Sequence, residues 1–282
     1  MSILYPWQQS LWQQHMPAAT QRHHALLIRG PRGIGKRRFA EAIGKSVLCI
    51  TPSARGLPCG TCQACGWIGQ GQHPDFMVIE PRVDNDPEGD TSATANKKAP
   101  PQIKIDQIRS AVSALTLSTH QGGRRVVLVE PAESMNAHAA NALLKTLEEP
   151  AAGTLFLLVN HQRGMLPATI VSRCRALEVP MPSTAQSIAW LLEQGVGEAG
   201  ADKQAAAAAL ALAGGAPLLA VEKGTPESRA RLATILTALK QGAAVDAVAQ
   251  AERLMSYSAG EIVESMQAWN HDLIARKLGH DS

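Results

Sequence analysis

Residues 23–36 read HHALLIRGPRGIGK, and this stretch indicates how the N-terminal part of the chain folds. The apolar run at 23–29 has the length and composition of a short buried strand, and the residues after the stretch are compatible with a helix. Between strand and helix lies the pattern G-x-x-x-x-G-K, a loop whose backbone N–H groups and lysine hold phosphates. The residues of this candidate nucleotide loop are Gly30, Gly33, Gly35 and Lys36. The simpler alternative is a glycine turn that joins a strand to a helix and binds no ligand.

Further apolar runs predict more strands, and they alternate with helical patterns. The runs are DFMVIEP (75–81), RRVVLVEP (124–131), TLFLLVN (154–160) and CRALEVP (174–180). Continuous apolar runs that alternate with helices are typical of a parallel sheet covered on both faces. The predicted fold class is therefore α/β, a P-loop module with a parallel sheet. Ligands are expected at the carboxyl ends of its strands.

Length and composition exclude several classes of protein. With 282 residues, 45% of them hydrophobic and 18% charged, the chain is not wholly disordered. A net charge of +3 without a run of like charges does not indicate a nucleic-acid-binding tail, and 4% aromatic residues argue against a base-stacking surface. The chain starts without a basic segment followed by an apolar one, and no apolar run reaches the roughly 18 residues of a membrane span. We therefore expect a cytoplasmic protein.

Two regions depart from the alternating pattern. The stretch 82–101, RVDNDPEGDTSATANKKAPP, has no hydrophobic period and predicts a mobile insertion. From Ser183 onward the strand pattern ends, and short Ala- and Leu-rich helices separated by glycine-containing turns follow. An all-helical region is therefore expected after the sheet.

The residues that should bind magnesium and activate water depart from the P-loop pattern. The position after Lys36 normally carries a serine or threonine that ligates magnesium, but Arg37 stands there and offers no oxygen. At the end of the third predicted strand, Glu130 takes the metal-side position and Pro131 the position of a water-polarising carboxylate. Glu133 is two residues too far along, and Glu130 alone could equally be a solvated strand-end carboxylate. These departures predict loss of magnesium-assisted hydrolysis and leave ATP binding open.

Four of the five cysteines fall within residues 49–65 and suggest a metal site. They are Cys49, Cys59, Cys62 and Cys65. Four thiolates close a tetrahedral shell around Zn²⁺ and leave no open coordination position, which means a structural and not a catalytic ion. The alternatives are an iron–sulfur cluster, a site in which His73 replaces Cys49, and four buried thiols without metal. A stand-alone zinc enzyme or redox protein would need an open metal position or a paired reactive thiol.

Ser172-Arg173-Cys174 lies between a predicted short helix and the fifth predicted strand. From this edge position Arg173 can reach a nucleotide held by a neighbouring protein, where such an arginine contributes about 10³ to 10⁵ in rate. The three residues alone favour the simpler alternative, a surface arginine paired with a carboxylate. Cys174 is expected to pack as a small hydrophobic residue.

With these motifs in view, the sequence resembles the delta-prime family of clamp-loader subunits of bacterial DNA polymerase III, part of the AAA+ superfamily. The matching segments are HHALLI (23–28), LPCGTCQACG (57–66), HPDF (73–76), NALLKTLEEP (141–150) and LPATIVSRC (166–174). They span most of residues 1–180. NALLKTLEEP together with SRC is highly specific to clamp-loader subunits.

The resemblance implies the domain organisation and the partners. It implies a AAA+ module over 1–180 with the zinc insertion at 49–65, a helical lid over 181–224 and a helical collar over 225–282. The family usually continues through further collar helices, so a partial collar is expected. The implied partners in a hetero-oligomer are the gamma or tau and delta subunits, with the sliding clamp and primed DNA in the assembled complex.

The resemblance also implies a role. The family is regarded as a stator without ATPase or polymerase activity of its own, and Arg173 is then the finger presented in trans to a neighbouring subunit's ATP. Asn160 stands where a first sensor belongs, and Leu218 stands where active subunits carry a second-sensor arginine. The alternative is an active gamma- or tau-like ATPase, against which Arg37, Pro131 and Leu218 count.

Overall fold

The computed structural model describes residues 3–16, 20, 22–82, 101–115, 123–162, 164–195, 203–223 and 225, with isolated positions between 234 and 270. The chain divides into two compact units, Met1–Pro180 and Met181–Ser282. Most of the expected insertion at 82–101 and of the expected collar at 225–282 lies outside the described residues. Every helix in the described parts is too short or too polar to cross a lipid bilayer.

A five-stranded parallel sheet forms the centre of the first unit. Its strands are β1 (Ala25–Arg29), β2 (Phe76–Ile79), β3 (Arg125–Val129), β4 (Thr154–Asn160) and β5 (Arg175–Glu178). They lie in the order β2-β3-β4-β1-β5, and each pairing is parallel. The expected α/β fold class is confirmed, and each expected strand is present. Strands β3 and β4 are buried along their whole length, which explains why their sequences are continuous apolar runs.

Helices connect these strands and cover the sheet. They are α1 (Gln9–His15), α2 (Lys36–Leu48), α3 (Gln63–Gly69), α4 (Ile105–Ala114), α5 (Ala137–Glu148) and α6 (Ala168–Val171), with one-turn 3-10 helices at Pro6–Gln8 and Ala132–Ser134. Helix α5 shows why they form: the Asn136 side chain caps its start by accepting a hydrogen bond from the Ala139 N–H at 2.8 Å. Its apolar positions recur at helical spacing, so Leu143 and Leu147 are buried in the core beside Phe156 of β4.

The second unit is helical in its described part, with α7 (Thr184–Glu193), α8 (Lys203–Leu212) and α9 (Pro217–Lys223). Ser183 and Gln186 form a capping box at the start of α7, each side chain accepting a hydrogen bond from the other's backbone N–H at 3.3 Å. The core between these helices consists largely of alanine and leucine, including Leu191, Ala206 and Leu210. These helices cover most of the stretch for which a lid is expected.

Candidate functional site

The candidate nucleotide loop joins β1 to α2 in a conformation that requires glycine. Gly30, Gly33 and Gly35 have φ angles of 149°, 81° and 82°, which side chains with a Cβ rarely adopt. Space is also limited, because a Cβ on Gly30 would lie 2.6 Å from the Val179 carbonyl oxygen and one on Gly35 would lie 2.4 Å from the Tyr5 ring. The loop shape therefore depends on its glycines for both conformation and packing.

Side chains from the one-turn helix at residues 6–8 hold this loop, a contact that the motif pattern does not reveal. The Gln8 Nε2 donates to the Gly35 carbonyl at 2.8 Å, and the Trp7 Nε1 donates to the Ile34 carbonyl at 3.0 Å. Gln8 is fully buried, so its amide forms the hydrogen bond to Gly35 without competition from water. The start of the chain thus preorganises the loop backbone.

Lys36 is buried inside its own loop. Its Nζ donates to the carbonyl oxygens of Gly30 at 2.7 Å and Pro31 at 2.5 Å. Burial lowers the pKa of Lys36 to about 8, although the nearby carboxylates of Glu133 and Glu130 act in the opposite direction. The lysine is therefore held at the position from which it can meet a phosphate.

Arg37 lies among the carboxylates at the strand ends. Its Nε is 3.0 Å from Glu41, its Nη1 pairs with Glu80 at the end of β2, and the same Nη1 is 3.4 Å from Glu130 at the end of β3. A magnesium ion requires oxygen ligands in near-octahedral geometry, and here a cationic side chain already contacts the carboxylates. The residues at this position do not fit a magnesium ion.

Glu130 is buried, so the alternative of a solvated strand-end carboxylate is wrong. Burial raises the pKa of Glu130 to about 7, although the Arg37 charge opposes this shift. Its other oxygen lies 3.9 Å from the His161 Nε2, and burial lowers the pKa of His161 to about 4. The imidazole is therefore neutral near pH 7 and does not compensate the carboxylate.

Glu133, which the sequence places too far along the chain, returns to the site through the one-turn helix at 132–134. Its carboxylate accepts hydrogen bonds from the Asn160 Nδ2 at 3.2 Å and from the His161 backbone N–H at 2.9 Å. The candidate sensor amide is therefore engaged by a carboxylate of its own chain. A polar residue at the end of a buried strand was the one sequence signal for this contact.

The four clustered cysteines lie together at the end of α2 and the start of α3, with their Sγ atoms all within 4.8 Å of one another. Backbone N–H groups point at the sulfurs: Cys59 donates to the Cys49 Sγ and Cys62 donates to the Cys59 Sγ, each at 3.3 Å. His73, the alternative ligand, instead accepts a hydrogen bond from the Asp75 N–H at 3.1 Å. The group that could hold a metal ion thus contains four cysteines, including Cys49.

This cysteine segment is fixed to the first two helices. The Trp12 Nε1 donates to the Arg55 carbonyl at 3.0 Å, and its ring packs edge-on against Phe39 of α2 at 6.0 Å between centroids. Ser46 donates to the Gly56 carbonyl. These contacts tie the metal-binding candidate to the body of the first unit.

Arg173 lies two residues after the end of α6 and before the edge strand β5, and its side chain is 35% exposed. Its Nη1 donates to the Thr169 carbonyl at 2.9 Å, and its Nη2 donates to Glu148 at 2.5 Å. Glu148 is the last residue of α5 and is itself 50% exposed. The adjacent Cys174 packs against the core as expected, and burial raises the pKa of its thiol to about 11.

The first unit is therefore a P-loop α/β module in which Arg37 contacts the carboxylates at the strand ends. A second, partly exposed arginine precedes its edge strand.

Comparison with known proteins gives the particular family. A family described as "DNA polymerase III, delta subunit" matches residues 7–183. DNA polymerase III subunit delta-prime of Pseudomonas aeruginosa is 41% identical over 285 residues, covering 100% of this chain and 80% of that protein. The Haemophilus influenzae delta-prime subunit is 33% identical over 224 residues, covering 79% of this chain and 62% of that protein. The chain belongs to the DNA polymerase III delta-prime family, which confirms the resemblance.

The solved structures that are similar to this chain have lower sequence identity to it than these relatives do. A DNA polymerase III gamma subunit-related protein from Thermotoga maritima has 20% sequence identity and a TM-score of 0.46, covering 91% of this chain and 70% of that chain.

Proposed function

We propose that this chain is a non-hydrolysing clamp-loader subunit that presents Arg173 to ATP held by a neighbouring ATPase subunit. In this role it acts as a stator while a sliding clamp is loaded onto primed DNA. The observation that carries the proposal is the contact of Arg37, at the sequence position of the usual magnesium ligand, with Glu80 and Glu130. Because magnesium assists phosphoryl transfer in P-loop enzymes, a chain without that site is not expected to hydrolyse ATP itself, and any contribution to hydrolysis would be made at a neighbour's site.

The setting of Arg173 supports a role in trans. One half-exposed carboxylate, one carbonyl and the Ser172 hydroxyl hold its guanidinium. Exposed ion pairs of this kind contribute about 0–1 kcal/mol. A neighbour's triphosphate carries more charge and matches the planar guanidinium with two oxygens at once. Transfer of the guanidinium from Glu148 to a phosphate therefore costs little.

An active gamma- or tau-like ATPase is the alternative, and turnover by the isolated chain discriminates between the two. We expect no magnesium-dependent ATP hydrolysis above background, because Arg37 offers no metal ligand and Pro131 cannot polarise water. The assay should be repeated with an Arg37→Thr/Pro131→Glu double variant as a test of sensitivity. Turnover by the native chain at about 1 s⁻¹ or faster, within the usual range for enzymes, would establish the alternative.

We also propose that the cysteine cluster holds a structural Zn²⁺, because four sulfur ligands around one point complete a tetrahedral shell. Elemental analysis of purified protein should give one equivalent of zinc. Removal with a strong chelator should lower the thermal unfolding midpoint, since a metal that binds only the folded chain stabilises it. Added zinc should restore the midpoint, and metal-free protein with an unchanged midpoint would contradict the assignment.

The proposed partners are the gamma or tau and delta subunits in a cytoplasmic hetero-oligomer, together with the sliding clamp and primed DNA in the complete complex. The support is membership of the delta-prime family. Co-expression followed by size-exclusion chromatography tests the assembly. We expect this chain to elute with the gamma or tau and delta subunits, and elution as a free chain would contradict the proposed assembly.

A further inference from the structure

The glycine loop and the cysteine cluster lie at opposite ends of one helix. Helix α2 begins at Lys36, directly after the loop, and ends at Leu48, next to Cys49. Its 13 residues span about 20 Å, because an α-helix rises about 1.5 Å per residue. Any link between the two sites other than α2 itself therefore passes through a further part of the chain.

The segment 3–16, at the start of the chain, contacts the loop end of α2. The side chains of Trp7 and Gln8 donate hydrogen bonds to two loop carbonyls. In the first turn of α2, the Arg38 guanidinium lies over the Tyr5 ring, 4.5 Å from its centre, in cation–π geometry. The one-turn helix that carries Trp7 and Gln8 continues directly into α1, so the loop contacts and α1 belong to one continuous helical segment.

Trp12 of α1 contacts the other site. Its Nε1 donates to the Arg55 carbonyl at 3.0 Å, and its ring packs edge-on against Phe39 of α2. Ser46, near the end of α2, donates to the next carbonyl, that of Gly56. Because Trp12 is buried, loss of the Arg55 carbonyl would leave a buried donor without this partner, which costs stability. The seating of Trp12 thus depends on where the chain around Arg55 lies.

The chain around Arg55 is the connection between the first two cysteines of the cluster, Cys49 and Cys59. It forms bends and turns instead of a helix or strand, and residues 50–55 are all exposed. Buried apolar contacts therefore contribute little to holding residues 50–55 in place. When Cys49 and Cys59 bind one metal ion, the ends of the connection are fixed and fewer conformations remain for it. The Arg55 carbonyl is then held against Trp12.

We propose that zinc binding to the cysteine cluster fixes the segment 3–16 and, through Trp12, the glycine loop. The inference rests on the proposed zinc site and requires no nucleotide on this chain. Coupling of this kind is reciprocal, so zinc should order the loop, and the seated Trp12 should strengthen zinc binding by the same factor. The two sequence motifs then form one energetic unit, although they lie at opposite ends of α2.

Hydrogen exchange of the full chain, measured by mass spectrometry with one equivalent of Zn²⁺ and again after chelation, tests this coupling. The Phe39 N–H reports on the loop, because it donates to the Gly35 carbonyl at 3.1 Å. Without zinc we expect about fivefold faster exchange in peptides covering 5–16 and 34–39, which equals about 1 kcal/mol, or one hydrogen bond. Peptides from β4, buried in the centre of the sheet, should exchange at the same rate in both samples.

Trp12→Phe isolates the link, because it removes the donor to Arg55 and keeps an aromatic ring against Phe39. In a competition titration with a chromophoric chelator, we expect it to bind Zn²⁺ about fivefold more weakly than the native chain does. Its 34–39 peptide should exchange at rates that agree within about twofold with and without zinc. Trp190→Phe is the matched control, since Trp190 lies on α7 in the other compact unit, and it should behave as the native chain does.

The coupling is overturned if zinc binds the native chain and exchange of the 34–39 peptide stays unchanged. Equal acceleration in β4 would indicate general unfolding and would also overturn it, as would native zinc affinity in folded Trp12→Phe. A chain that binds no zinc would remove the proposed zinc site as well, which distinguishes that failure from loss of the coupling alone. Circular dichroism establishes the folding of each variant, and the native chain with and without zinc decides the question should Trp12→Phe not fold.

Discussion

Arg37 and Arg173 belong to the same α/β unit but are held in opposite ways. Arg37 contacts carboxylates from three separate places in the chain, Glu41, Glu80 and Glu130. Within the described residues, Arg173 contacts one carboxylate, one carbonyl and the Ser172 hydroxyl, and these partners lie at the protein surface. One guanidinium is thus built into the chain's own site, whereas the other is available to another molecule.

In the proposed function, these two settings correspond to a hydrolytic role that is lost and a role in trans that is kept. The Arg37 guanidinium is fixed by internal carboxylates. It neutralises their charge where a metal would act on a nucleotide of this chain. In the proposed function, Arg173 has only weak surface contacts to give up when it acts on a nucleotide of another subunit. Stability measurements distinguish the two arginines, because only Arg37 should contribute substantially to the free energy of unfolding.

The largest change in stability is expected for Arg37→Leu. It removes the cation beside the buried Glu130, and we expect a loss of about 2 kcal/mol of unfolding free energy, discounted because Arg37 itself is half exposed. Arg37→Lys should recover part of the loss. Arg173→Leu should change the free energy by less than about 0.5 kcal/mol. Urea denaturation measures the stability of all three variants. Equal losses for Arg37→Leu and Arg173→Leu would contradict the larger contribution of Arg37 to stability.

A smaller effect concerns pH and Glu130, whose pKa is raised to about 7 in the folded chain. Between about pH 4.5 and 7 the folded state binds more protons here than the unfolded state, so this group destabilises the fold increasingly as pH rises. His161, with its pKa lowered to about 4, acts in the opposite direction below about pH 6.5.

Substitution isolates the Glu130 contribution from that of His161. Glu130→Gln should gain stability relative to the native chain as pH rises from 5 to 7, by about 1–2 kcal/mol. Urea titrations at several pH values measure the difference between the two chains. A difference independent of pH would contradict the raised pKa of Glu130.

The smallest effect is expected for Glu148→Gln, which removes the ion pair with Arg173. Its stability should stay within about 0.5 kcal/mol of native, because the pair is exposed. ATP hydrolysis by the reconstituted complex should stay within about twofold of the native rate, since the finger keeps its guanidinium. Glu149→Gln, the exposed neighbour, is the control. A loss of activity in Glu148→Gln alone would show that Glu148 positions the finger.

The sequence was sufficient for features that depend on neighbouring residues. The strands, the glycine loop, the cysteine cluster and the irregular Arg37 and Pro131 positions all follow from local pattern and spacing. The apolar runs of β3 and β4 also predict a covered parallel sheet, because both faces of such strands are buried.

What the sequence did not reveal are contacts set by the order of the strands. Glu80 meets Arg37 because β2 lies beside β3, and Glu133 reaches Asn160 because a one-turn helix turns the chain back toward β4. Likewise, Gln8 holds a loop 27 positions further along. Periodicity carries no information about such pairings, since they depend on where separate elements meet in space.

The proposed action of Arg173 on a neighbour's ATP can be measured as DNA-stimulated ATP hydrolysis by the reconstituted clamp loader. Complexes containing the native chain, Arg173→Ala and the matched control Arg175→Ala, an exposed arginine on β5, should be compared. At the neighbouring ATP site on which Arg173 is proposed to act, we expect a loss of about 10³-fold for Arg173→Ala and none for Arg175→Ala. A native rate of ATP hydrolysis by an assembled Arg173→Ala complex would contradict the proposed role of Arg173.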